Sequence, residues 1–533
     1  MEYQAIIIGG GVAGLVCAAG LAAVHCPVLI LEAQESLGGR IQPVYLTGCN
    51  KSIDAGAAWI HGVEGNPCLC TDSACTPSKP ELTLPAIGVG HANPWLDTPS
   101  QLYDVYLPSD EDPQTLLLAP GIMEETQQGW QEQVLAKVHS FGQHCCDVDW
   151  IDATLAQSFQ HVGDMHPAHV LRAWLLACWM GTDLSCLAAA ELCAPGPLGD
   201  FPGPHCTIGA IPSSLGEASS SSRERVHSTS LAGMAAWFSQ VQRAVQACPH
   251  VQVQLASPVS LVQATLSGIA VHYAGNDMPA QAQHVVSTVP LPILQQKHLA
   301  FEPPLPKSTR HALHSMQAGH YCKVMLSWET AWWSPTAAPM WCVPPERGQL
   351  LRAAHDPDDE LAVCMIENGL AMKGEPVLVG IFVGAQAQAA ERNAAAAVAA
   401  VLRRAAQIAV AAGWPAPPAP AAHHVTSWDS NPWSRGAYSY LPAGVCGAVI
   451  EQGAQTLQAS SEGWRPANGP ITGPALHWAG EATDPEAMGS VHAAWSSGLR
   501  AAVSIAQAKG LDTAAVRAAV ASLAPAVRIT RVL

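Results

Sequence analysis

The sequence predicts an α/β protein with a dinucleotide-binding domain, and three observations support this fold class. A buried, β-branched run near the start, "YQAIIIGGG", leads into a helix of small residues, "VAGLVCAAGLAA". A second strand, "PVLILEA", follows this helix and ends in an acidic residue. The chain has 533 residues, which is too long for one hydrophobic core, so two domains are expected.

The glycine-rich turn has the spacing Gly9-x-Gly11-x-x-Gly14. Gly9 permits a tight turn, Gly11 lets the backbone approach a pyrophosphate, and Gly14 allows the helix to pack closely on the strand. The helix N-terminus then offers free N–H groups and a positive dipole end to the diphosphate. Glu32 stands at the end of the second strand, where a carboxylate accepts hydrogen bonds from a ribose. Together these features predict a Rossmann-like domain.

The net charge of the chain limits the kinds of binding partner that the sequence predicts. The formal net charge of −17 argues against a nucleic-acid partner. A negative field raises the local concentration of small cations, which suits a cationic substrate. Plain solubility accounts for the same charge, so the balance alone names no ligand.

Cysteine usage and hydropathy indicate a compartment with reduced thiols. The seventeen cysteines are scattered and odd in number. Cys68, Cys70 and Cys75 form the closest group of three, but they lack a paired Cys-x-x-Cys pattern, and we predict no metal site. The alanine-rich stretch 393–413 contains two arginines, so we expect a helix of a soluble protein and no membrane contact.

The ends of the chain bear on location. The first strand begins almost at Met1, without a signal-peptide pattern. The last residues, "RVL", are a poor peroxisomal signal. A cytoplasmic location is therefore expected. The oligomeric state stays open, and a monomer is compatible with the sequence.

A second glycine pair follows the acidic residue, in "AQESLGGRI". An enzyme that uses NAD does not need Gly38, Gly39 and Arg40 at this point. The segment resembles the FAD-binding turn of the flavin-containing amine oxidase family. The resemblance implies FAD as the cofactor, with Gly39 in the turn and Arg40 at the pyrophosphate.

The next segment, "DAGAAWIHGVEGNP", makes the resemblance more specific. It is similar to the flavin-facing loop of polyamine oxidases and spermine oxidases. There, Gly56 and Ala57 would let a flat ring lie against the backbone, and Trp59 would join the cofactor site. His61, in the subgroup pattern "WIHG", would lie near the flavin and the substrate. An ordinary loop histidine is the alternative for this position.

The middle of the chain suggests interleaved domains. Residues 102–194 have a helical pattern, whereas "HVQVQLASPVSLVQATLSGIAVHYA" alternates as strands do. By resemblance, Val259 contacts the adenine through its backbone. We predict a discontinuous FAD-binding domain of the amine oxidase (GR2) type, interleaved with an α+β substrate-binding domain. The FAD-binding segments are 1–95, 205–300 and 420–510, the substrate-binding segments are 96–204 and 301–419, and a C-terminal tail covers 511–533.

Lys323 is the candidate for the chemistry. It lies in a strand pattern, "HYCKVMLSW", and matches the family position where a lysine holds a water against flavin N5. A lysine that faces an apolar pocket is partly desolvated, which lowers its pKa and lets it exchange protons with that water. A solvent-facing lysine at a strand edge is the alternative.

The stretch "SWDSNPWSRGAYSYLPAG" supplies aromatic residues. Trp428 and Trp433 offer flat faces to a flavin, although core packing explains at least one of them equally well. By resemblance, Tyr438 forms the aromatic wall beside the reacting amine, and aromatic faces suit cationic amines. Monoamine oxidases attach their flavin through a cysteine where this chain has Ala437, so non-covalent FAD is expected. Their second cage tyrosine corresponds to Ser490, so the cage is half present.

The late segment "GEATDPEAMGSVHAAWSSGLRAA" reads as a loop followed by a helix. Gly480 begins the loop, and Glu481 resembles the family's acidic contact to FAD. The helix that starts at Ser490 and Val491 would direct its N-terminal amides at the flavin ring. His492 is expected to be structural or to lie at the flavin edge.

The resemblance implies oxidation of a C–N bond. Small cationic amines, most simply spermine, spermidine or their N-acetyl forms, would be converted to an aldehyde and a shorter amine. Molecular oxygen would be reduced to hydrogen peroxide. The alternatives are a protein similar to the lysine-specific histone demethylases, another FAD amine or amino-acid oxidase, and an inactive flavin-binding structural or partner protein.

Overall fold

Part of the chain is described by the computed structural model, and it includes both ends of the predicted cofactor domain. The described residues are 3–62, 65–69, 82–86, 103–108, 115–119, 154, 156–157, 174–175, 177–187, 206–207, 231–343, 361, 363, 365–440, 442–443, 464, 476–484, 487–525 and 527–531. The predicted helical run 124–141 and the serine-rich loop 211–225 lie outside them. So do Cys70 and Cys75, while every described cysteine is a free thiol.

Strands and helices alternate at the N-terminus, strands dominate the middle, and helices dominate the C-terminal part. The strands are β1 (Ala5–Ile8), β2 (Val28–Leu31), β3 (Pro43–Val44), β4 (Ile53–Asp54), β5 (Trp59–Ile60), β6 (Leu82–Ala86), β7 (Tyr103–Pro108), β8 (Leu116–Leu118), β9 (Cys206–Thr207), β10 (Val251–Gln254), β11 (Val259–Thr265), β12 (Gly268–Tyr273), β13 (Ala280–Ala282), β14 (His284–Ser287), β15 (Ala300–Glu302), β16 (Gln317–Ala318), β17 (Tyr321–Ser327), β18 (Met340–Cys342), β19 (Met365–Asn368), β20 (Val377–Val383), β21 (Ala422–Val425), β22 (Ser439–Tyr440), β23 (Leu476–Trp478) and β24 (Val527–Arg531). The helices are α1 (Val12–Ala22), α2 (Gly233–Gln246), α3 (Leu291–Gln295), α4 (Lys307–Ser315), α5 (Gly369–Lys373), α6 (Gly384–Arg392), α7 (Ala394–Ala412), α8 (Val491–Ala508) and α9 (Thr513–Leu523), with a short 3₁₀ helix at Glu481–Thr483.

A five-stranded parallel sheet forms the cofactor half of the molecule, in the order β10-β2-β1-β14-β23. Its three central strands are buried along their whole length, as expected for a parallel sheet covered on both faces. All three segments predicted to form the FAD-binding domain supply strands to it. Residues far apart in the chain therefore meet at the same sheet edge.

Small residues let the helices approach the sheet and one another. A Cβ added to Gly498 of α8 would come within 2.4 Å of the backbone oxygen of Ala13 in α1. Helix α9 packs on the same side of α1, with Val516 and Val520 buried. The segment predicted as a C-terminal tail therefore contains helix α9, whose apolar residues repeat at helical spacing and cover α1. It also contains strand β24, which pairs with β6.

A second sheet has seven strands in the order β21-β17-β20-β19-β18-β7-β8. The predicted helical pattern of 102–194 is wrong at its start, since β7 and β8 lie there and pair with each other. Val105 is buried where β7 pairs with β18, a non-local contact that overrides the local pattern, and Tyr106, which pairs with β8, is buried as well. Further along, residues 174–175 and 177–180 are helical, as predicted.

Helix α7 confirms the alanine-rich helix and covers the outer face of this sheet. Asn393 caps it by accepting a hydrogen bond from the N–H of Ala396, and Gly413 ends it in the left-handed conformation. Within the described part of the chain, α7 alone is long and apolar enough to cross a membrane, a test that buried helices of soluble proteins also pass. Val401 of this helix packs on Gly380 of β20, where a Cβ would leave only 2.3 Å.

Candidate active site

A cavity of about 390 Å³ follows the carboxyl edge of the parallel sheet and continues under the seven-stranded sheet. Its lining includes the residues that directly follow three of the parallel strands, Gly9, Glu32 and Thr288, and also Gly480, two residues after β23. These four positions span three strand spacings, roughly 14 Å. Ligands of open α/β sheets bind at this edge.

The first glycine turn has the predicted geometry. Gly9 has φ of +109°, and a Cβ there would lie 2.4 Å from the Thr288 hydroxyl oxygen. A Cβ on Gly11 would meet no atom within 4 Å, so this backbone borders open cavity. A Cβ on Gly14 would lie 2.1 Å from the Gly9 carbonyl oxygen, which confirms close packing of helix on strand. Gly11 caps α1 without a side-chain hydrogen bond, leaving the first-turn amides directed at the cavity.

Glu32 and Val259 line the same part of the cavity. Glu32 is buried, and its carboxylate accepts hydrogen bonds from the backbone N–H groups of Gly10 (2.6 Å) and Gln34 (2.8 Å). Burial raises the pKa of Glu32, while these hydrogen bonds act in the opposite direction. The carboxylate is thus fixed at the end of β2, with lone pairs left for a hydroxyl group of a ligand.

Arg40, from the N-terminal part of the chain, contacts two residues of the C-terminal part at the cavity. Its Nη1 donates to Glu481 Oε1 at 2.9 Å and to the Ala437 carbonyl at 2.7 Å. Glu481 is buried and also accepts from the backbone N–H groups of Ser439 and Gly489. The sequence predicted a cofactor contact for each of Arg40 and Glu481, and their pairing with each other was not foreseen. Gly39 lies beside them in the lining.

The loop after β4 is held against the glycine turn. The N–H of Ala57 donates to the Arg40 carbonyl at 3.1 Å, and a Cβ on Gly56 would lie only 1.9 Å from the same oxygen. Trp428 packs on Gly56 and donates its indole N–H to the Ala55 carbonyl at 3.2 Å. Trp428 is therefore both a core residue and part of the lining, while Trp433 stays 38% exposed at the cavity.

Lys323 lies in β17 and is buried, with 5% of its surface exposed. Its Nζ donates to the carbonyls of Gly56 at 2.8 Å and Asp54 at 3.1 Å. Burial lowers the pKa of Lys323, and Lys373 acts in the same direction, while the carboxylates of Glu367 and Asp54 oppose the shift. The predicted strand position is confirmed, and the solvent-facing alternative is wrong. In its protonated form, Nζ has one further N–H, which can bind a water or a substrate at the cavity.

Aromatic side chains form one wall of the cavity. The Tyr438 hydroxyl donates to the Trp179 carbonyl, and burial raises the pKa of Tyr438, so the phenol stays neutral. The ring of Tyr321 lies 6.2 Å from that of Tyr438, centroid to centroid. Tyr321, Trp179 and Tyr438 all line the cavity. Tyr321 therefore supplies a second aromatic ring, which the sequence did not reveal.

Helix α8 begins at the cavity, as predicted. Ser490 is its N-cap and accepts from the N–H of Ala493 at 3.0 Å. Ser490, Val491 and Gly480 all lie in the lining. Gly489, just before the cap, has φ of +85°, and a Cβ there would crowd the Tyr438 ring at 3.2 Å. The start of α8 is thus fixed against the aromatic wall.

Most of the predicted site residues share this single cavity. Trp59 is also in the lining, whereas Gly14 and His61 are not. Gly14 lies behind the turn, where its predicted packing role places it. His61 lies outside the lining but contacts the aromatic wall, because its ring centroid lies 4.4 Å from that of Trp179. His492 is buried within α8, which fits the structural role expected for it.

The sequence did not reveal every cavity residue. Glu367 of β19 is 7% exposed, lines the cavity, and accepts a hydrogen bond from Trp59 Nε1 at 3.2 Å. The only local signal is an acidic residue inside the apolar run "AVCMIEN". A buried carboxylate in such a run indicates a specific partner.

The donor set fits a flavin dinucleotide. Amides at the start of α1 and a side-chain-free backbone at Gly11 suit a diphosphate, and a fixed carboxylate at Glu32 suits a ribose. The start of α8 and the loop at Gly56 offer amides and a flat surface to a ring system. A parallel sheet with this edge site and a buried lysine in an aromatic cavity defines a flavoprotein oxidoreductase.

Comparison with known proteins gives the family. The model of the flavin-containing amine oxidoreductases matches residues 209–506, more than half of the chain, and that of the NAD(P)-binding Rossmann-like domain matches residues 7–70. The chain belongs to the flavin-containing amine oxidoreductase family, and it is an FAD-dependent amine oxidase.

Named relatives are similar over nearly the whole chain. Polyamine oxidase 4 of Oryza sativa subsp. japonica is 25% identical over 514 residues, covering 93% of this chain and 87% of the relative. Peroxisomal N(1)-acetyl-spermine/spermidine oxidase of Homo sapiens is 26% identical over 536 residues, covering 94% of each. Polyamine oxidase 2 of Arabidopsis thaliana is 24% identical over 515 residues, covering 93% and 86%.

Proposed function

We propose that the protein oxidises a C–N bond of a polyamine, such as spermine, spermidine or an N-acetyl form, with non-covalently bound FAD. One observation carries the proposal: Lys323 is a buried lysine in an aromatic-walled cavity, with its Nζ fixed by two backbone carbonyls. The relatives named as polyamine oxidases support the substrate class. Ala437, which stands where monoamine oxidases carry their flavin-linked cysteine, supports the non-covalent mode.

The cofactor residues have separate roles in this proposal. Gly11 and the start of α1 hold the diphosphate, Glu32 holds the ribose, and the Val259 backbone meets the adenine. Arg40 contributes positive charge near the diphosphate while Glu481 fixes its position. The start of α8 directs its amides and positive dipole end at the ring.

FAD, when bound, supplies the two-electron acceptor for the oxidation of the C–N bond. The protein residues orient the amine and control protons. The apolar and aromatic lining favours the neutral form of the reacting nitrogen, since a buried charge without a partner is costly. Lys323, with its lowered pKa, holds a water by its third proton and exchanges protons with it.

The overall reaction balances with two co-substrates. A secondary amine, one O₂ and one H₂O give an aldehyde, a shorter amine and H₂O₂. The carbon next to nitrogen loses two electrons, which reduce O₂ to peroxide, and the oxygen of water ends in the aldehyde. The aromatic rings of Tyr438 and Tyr321 form the wall beside the reacting amine in this proposal, a lining that also tolerates the charged amine before it loses its proton.

Product analysis tests this proposal. The purified holoenzyme is incubated in air with spermine, spermidine, N-acetylspermine and a methyl-lysine peptide, and peroxide, aldehydes and amines are measured. We expect stoichiometric peroxide and a shortened amine with a polyamine, and the mass of the amine reports which side of the nitrogen is cut. Turnover of the methyl-lysine peptide alone would contradict the polyamine assignment.

A further inference from the structure

Glu367 is a buried acid that none of the cofactor contacts above uses. It lies in β19 and lines the cavity, with 7% of its surface exposed. Within the described part of the chain, its carboxylate accepts one hydrogen bond, from the neutral indole of Trp59 at 3.2 Å. Burying a carboxylate is costly unless hydrogen bonds or a counter-charge take the place of the lost water contacts. One hydrogen bond from a neutral donor compensates for only a small part of that cost.

The strand register places Glu367 on the same sheet face as Lys323. Lys323 pairs with Ile381, and Ile381 pairs with Met365, so these three side chains form one row. Glu367 occupies the next row, opposite Val379. Because β20 lies between β17 and β19, the Cα traces of the lysine and glutamate strands are roughly 10 Å apart.

Apart from the buried ion pair of Asp54 with Lys373, which acts on Lys323, the surroundings of these two charges on the sheet are apolar. The other inward-facing residues of strands β17 to β20 are Tyr321, Ser327 and a group that shares one core cluster, comprising Met325, Met340, Cys342, Met365, Val377, Val379, Ile381 and Val383. Lys323 and Glu367 are therefore the two charged groups on this face. Interactions between charges are strong in such a setting, because little water screens them.

We infer that Glu367 binds a second, positively charged nitrogen of the substrate, a few methylene groups from the nitrogen that is oxidised near Lys323. This inference rests on the proposed polyamine oxidation and adds a residue that measures substrate length. Among the described residues no cation forms an ion pair with Glu367, so a substrate ammonium supplies a counter-charge in direct contact, and the methylene chain between the nitrogens lies along the apolar face. Trp59 fixes the carboxylate for this contact through its indole N–H.

A competing explanation makes Glu367 a partner of Lys323 alone. In that case it would act through the lysine, and its loss would change oxidation of every amine and shift the pH dependence. A substrate contact predicts something different: the loss depends on whether the amine carries the second charge. Two compounds separate these explanations, spermidine and N-propylbutylamine, which has the same carbon chains around the secondary nitrogen but no terminal amino groups.

The test measures anaerobic flavin reduction in the holoenzyme by rapid mixing, with each compound over a range of concentrations and pH. The variant is Glu367→Gln, which keeps the side-chain shape and can still accept from Trp59. Glu367→Asp keeps the charge and should retain part of the spermidine binding. Glu375→Gln is a matched control, since Glu375 is buried at 1% exposure and pairs with Lys51 outside the cavity lining.

We expect Glu367→Gln to raise the apparent Kd of spermidine about 10-fold to 100-fold, as for a lost charge-assisted contact. The apparent Kd of N-propylbutylamine should stay as in the wild type. Because the Glu367 charge also acts on the pKa of Lys323, any shift in the pH dependence of the limiting rate should be the same for both compounds. An equal rise in the apparent Kd of both compounds, or a shifted pH profile with an unchanged spermidine Kd, would overturn the role of Glu367. The proposed polyamine oxidation would not be affected by either result. A wild-type flavin that neither compound reduces would contradict the polyamine oxidation as well.

Discussion

Arg40 and Glu481 are 441 residues apart in the chain, yet Arg40 Nη1 and Glu481 Oε1 lie 2.9 Å apart at the cavity. Glu481 is buried and also accepts hydrogen bonds from Ser439 and Gly489. The ion pair thus ties the glycine turn after β2 to the loop before α8. One extended cofactor site is built where the two ends of the chain meet.

Breaking this pair should loosen both ends of the site. Glu481→Gln removes the charge and weakens the contact to Arg40, so we expect a loss of about 2 kcal/mol in stability, below the range for fully buried pairs because Arg40 is 27% exposed. FAD should also dissociate more readily. Chemical denaturation of the apoprotein and flavin retention on gel filtration measure the two effects. Unchanged flavin retention would remove this pair from cofactor binding.

The two glycines of the first turn should respond differently to alanine. Gly11→Ala places a methyl group in open cavity at an unstrained φ of −81°, so the apoprotein should keep its stability while FAD binding falls at least tenfold. Gly14→Ala collides with the Gly9 carbonyl and should destabilise the fold by about 1–3 kcal/mol. Thermal unfolding without FAD and FAD titration separate the effects. Equal destabilisation by both changes would contradict the assignment.

Lys323→Met should slow the reduction of bound flavin by amine about 10²-fold to 10⁴-fold, the range for a lost proton-transfer group, while FAD stays bound. The variant also leaves the buried carbonyls of Asp54 and Gly56 without their donor, which should cost about 1–3 kcal/mol of stability. Rapid-mixing absorbance measures the first effect and denaturant titration the second. An unchanged reduction rate would exclude Lys323 from the chemistry.

Lys323 should also leave a signature in the pH dependence of stability. Burial lowers its pKa in the folded state below the ordinary 10.5, so the cost of burying its charge is fully present below that lowered pKa. As the pH rises from the lowered pKa to the unfolded value, the folded state binds fewer protons and stability increases. The wild type should therefore gain stability relative to Lys323→Met over this window. A flat difference between the two titrations would show that the lysine pKa is not lowered.

The sequence predicted the elements that depend on neighbouring residues. The glycine turn, the alanine-rich α7 and the start of α8 carry their signals within neighbouring positions, in Gly9-x-Gly11, in the alanine run between Asn393 and Gly413 and in Ser490. Strand β7 was missed because its formation depends on pairing with β18, more than two hundred residues away. Local patterns do not contain such a contact.

The candidate site follows the same rule. Lys323 and Tyr438 were found because motifs surround them. Glu367 was missed because its significance arises from the register of β19 against β20 and of β20 against β17, which places it on the same sheet face as Lys323, two strands away. The pairing of Arg40 with Glu481 was likewise hidden, although each residue had been assigned to the site. The importance of these residues for the site follows from which residues lie near them in the folded protein, and residue type alone does not show this.

The central claim is that one FAD site along the carboxyl edge of the parallel sheet oxidises a cationic amine. The most direct test records the visible spectrum of the purified protein without oxygen, before and after adding spermine, spermidine, their N-acetyl forms and a methyl-lysine peptide. We predict a flavin band that a polyamine bleaches within the mixing experiment. A flavin band that none of these amines bleaches, or a protein that takes up no FAD, would contradict the account.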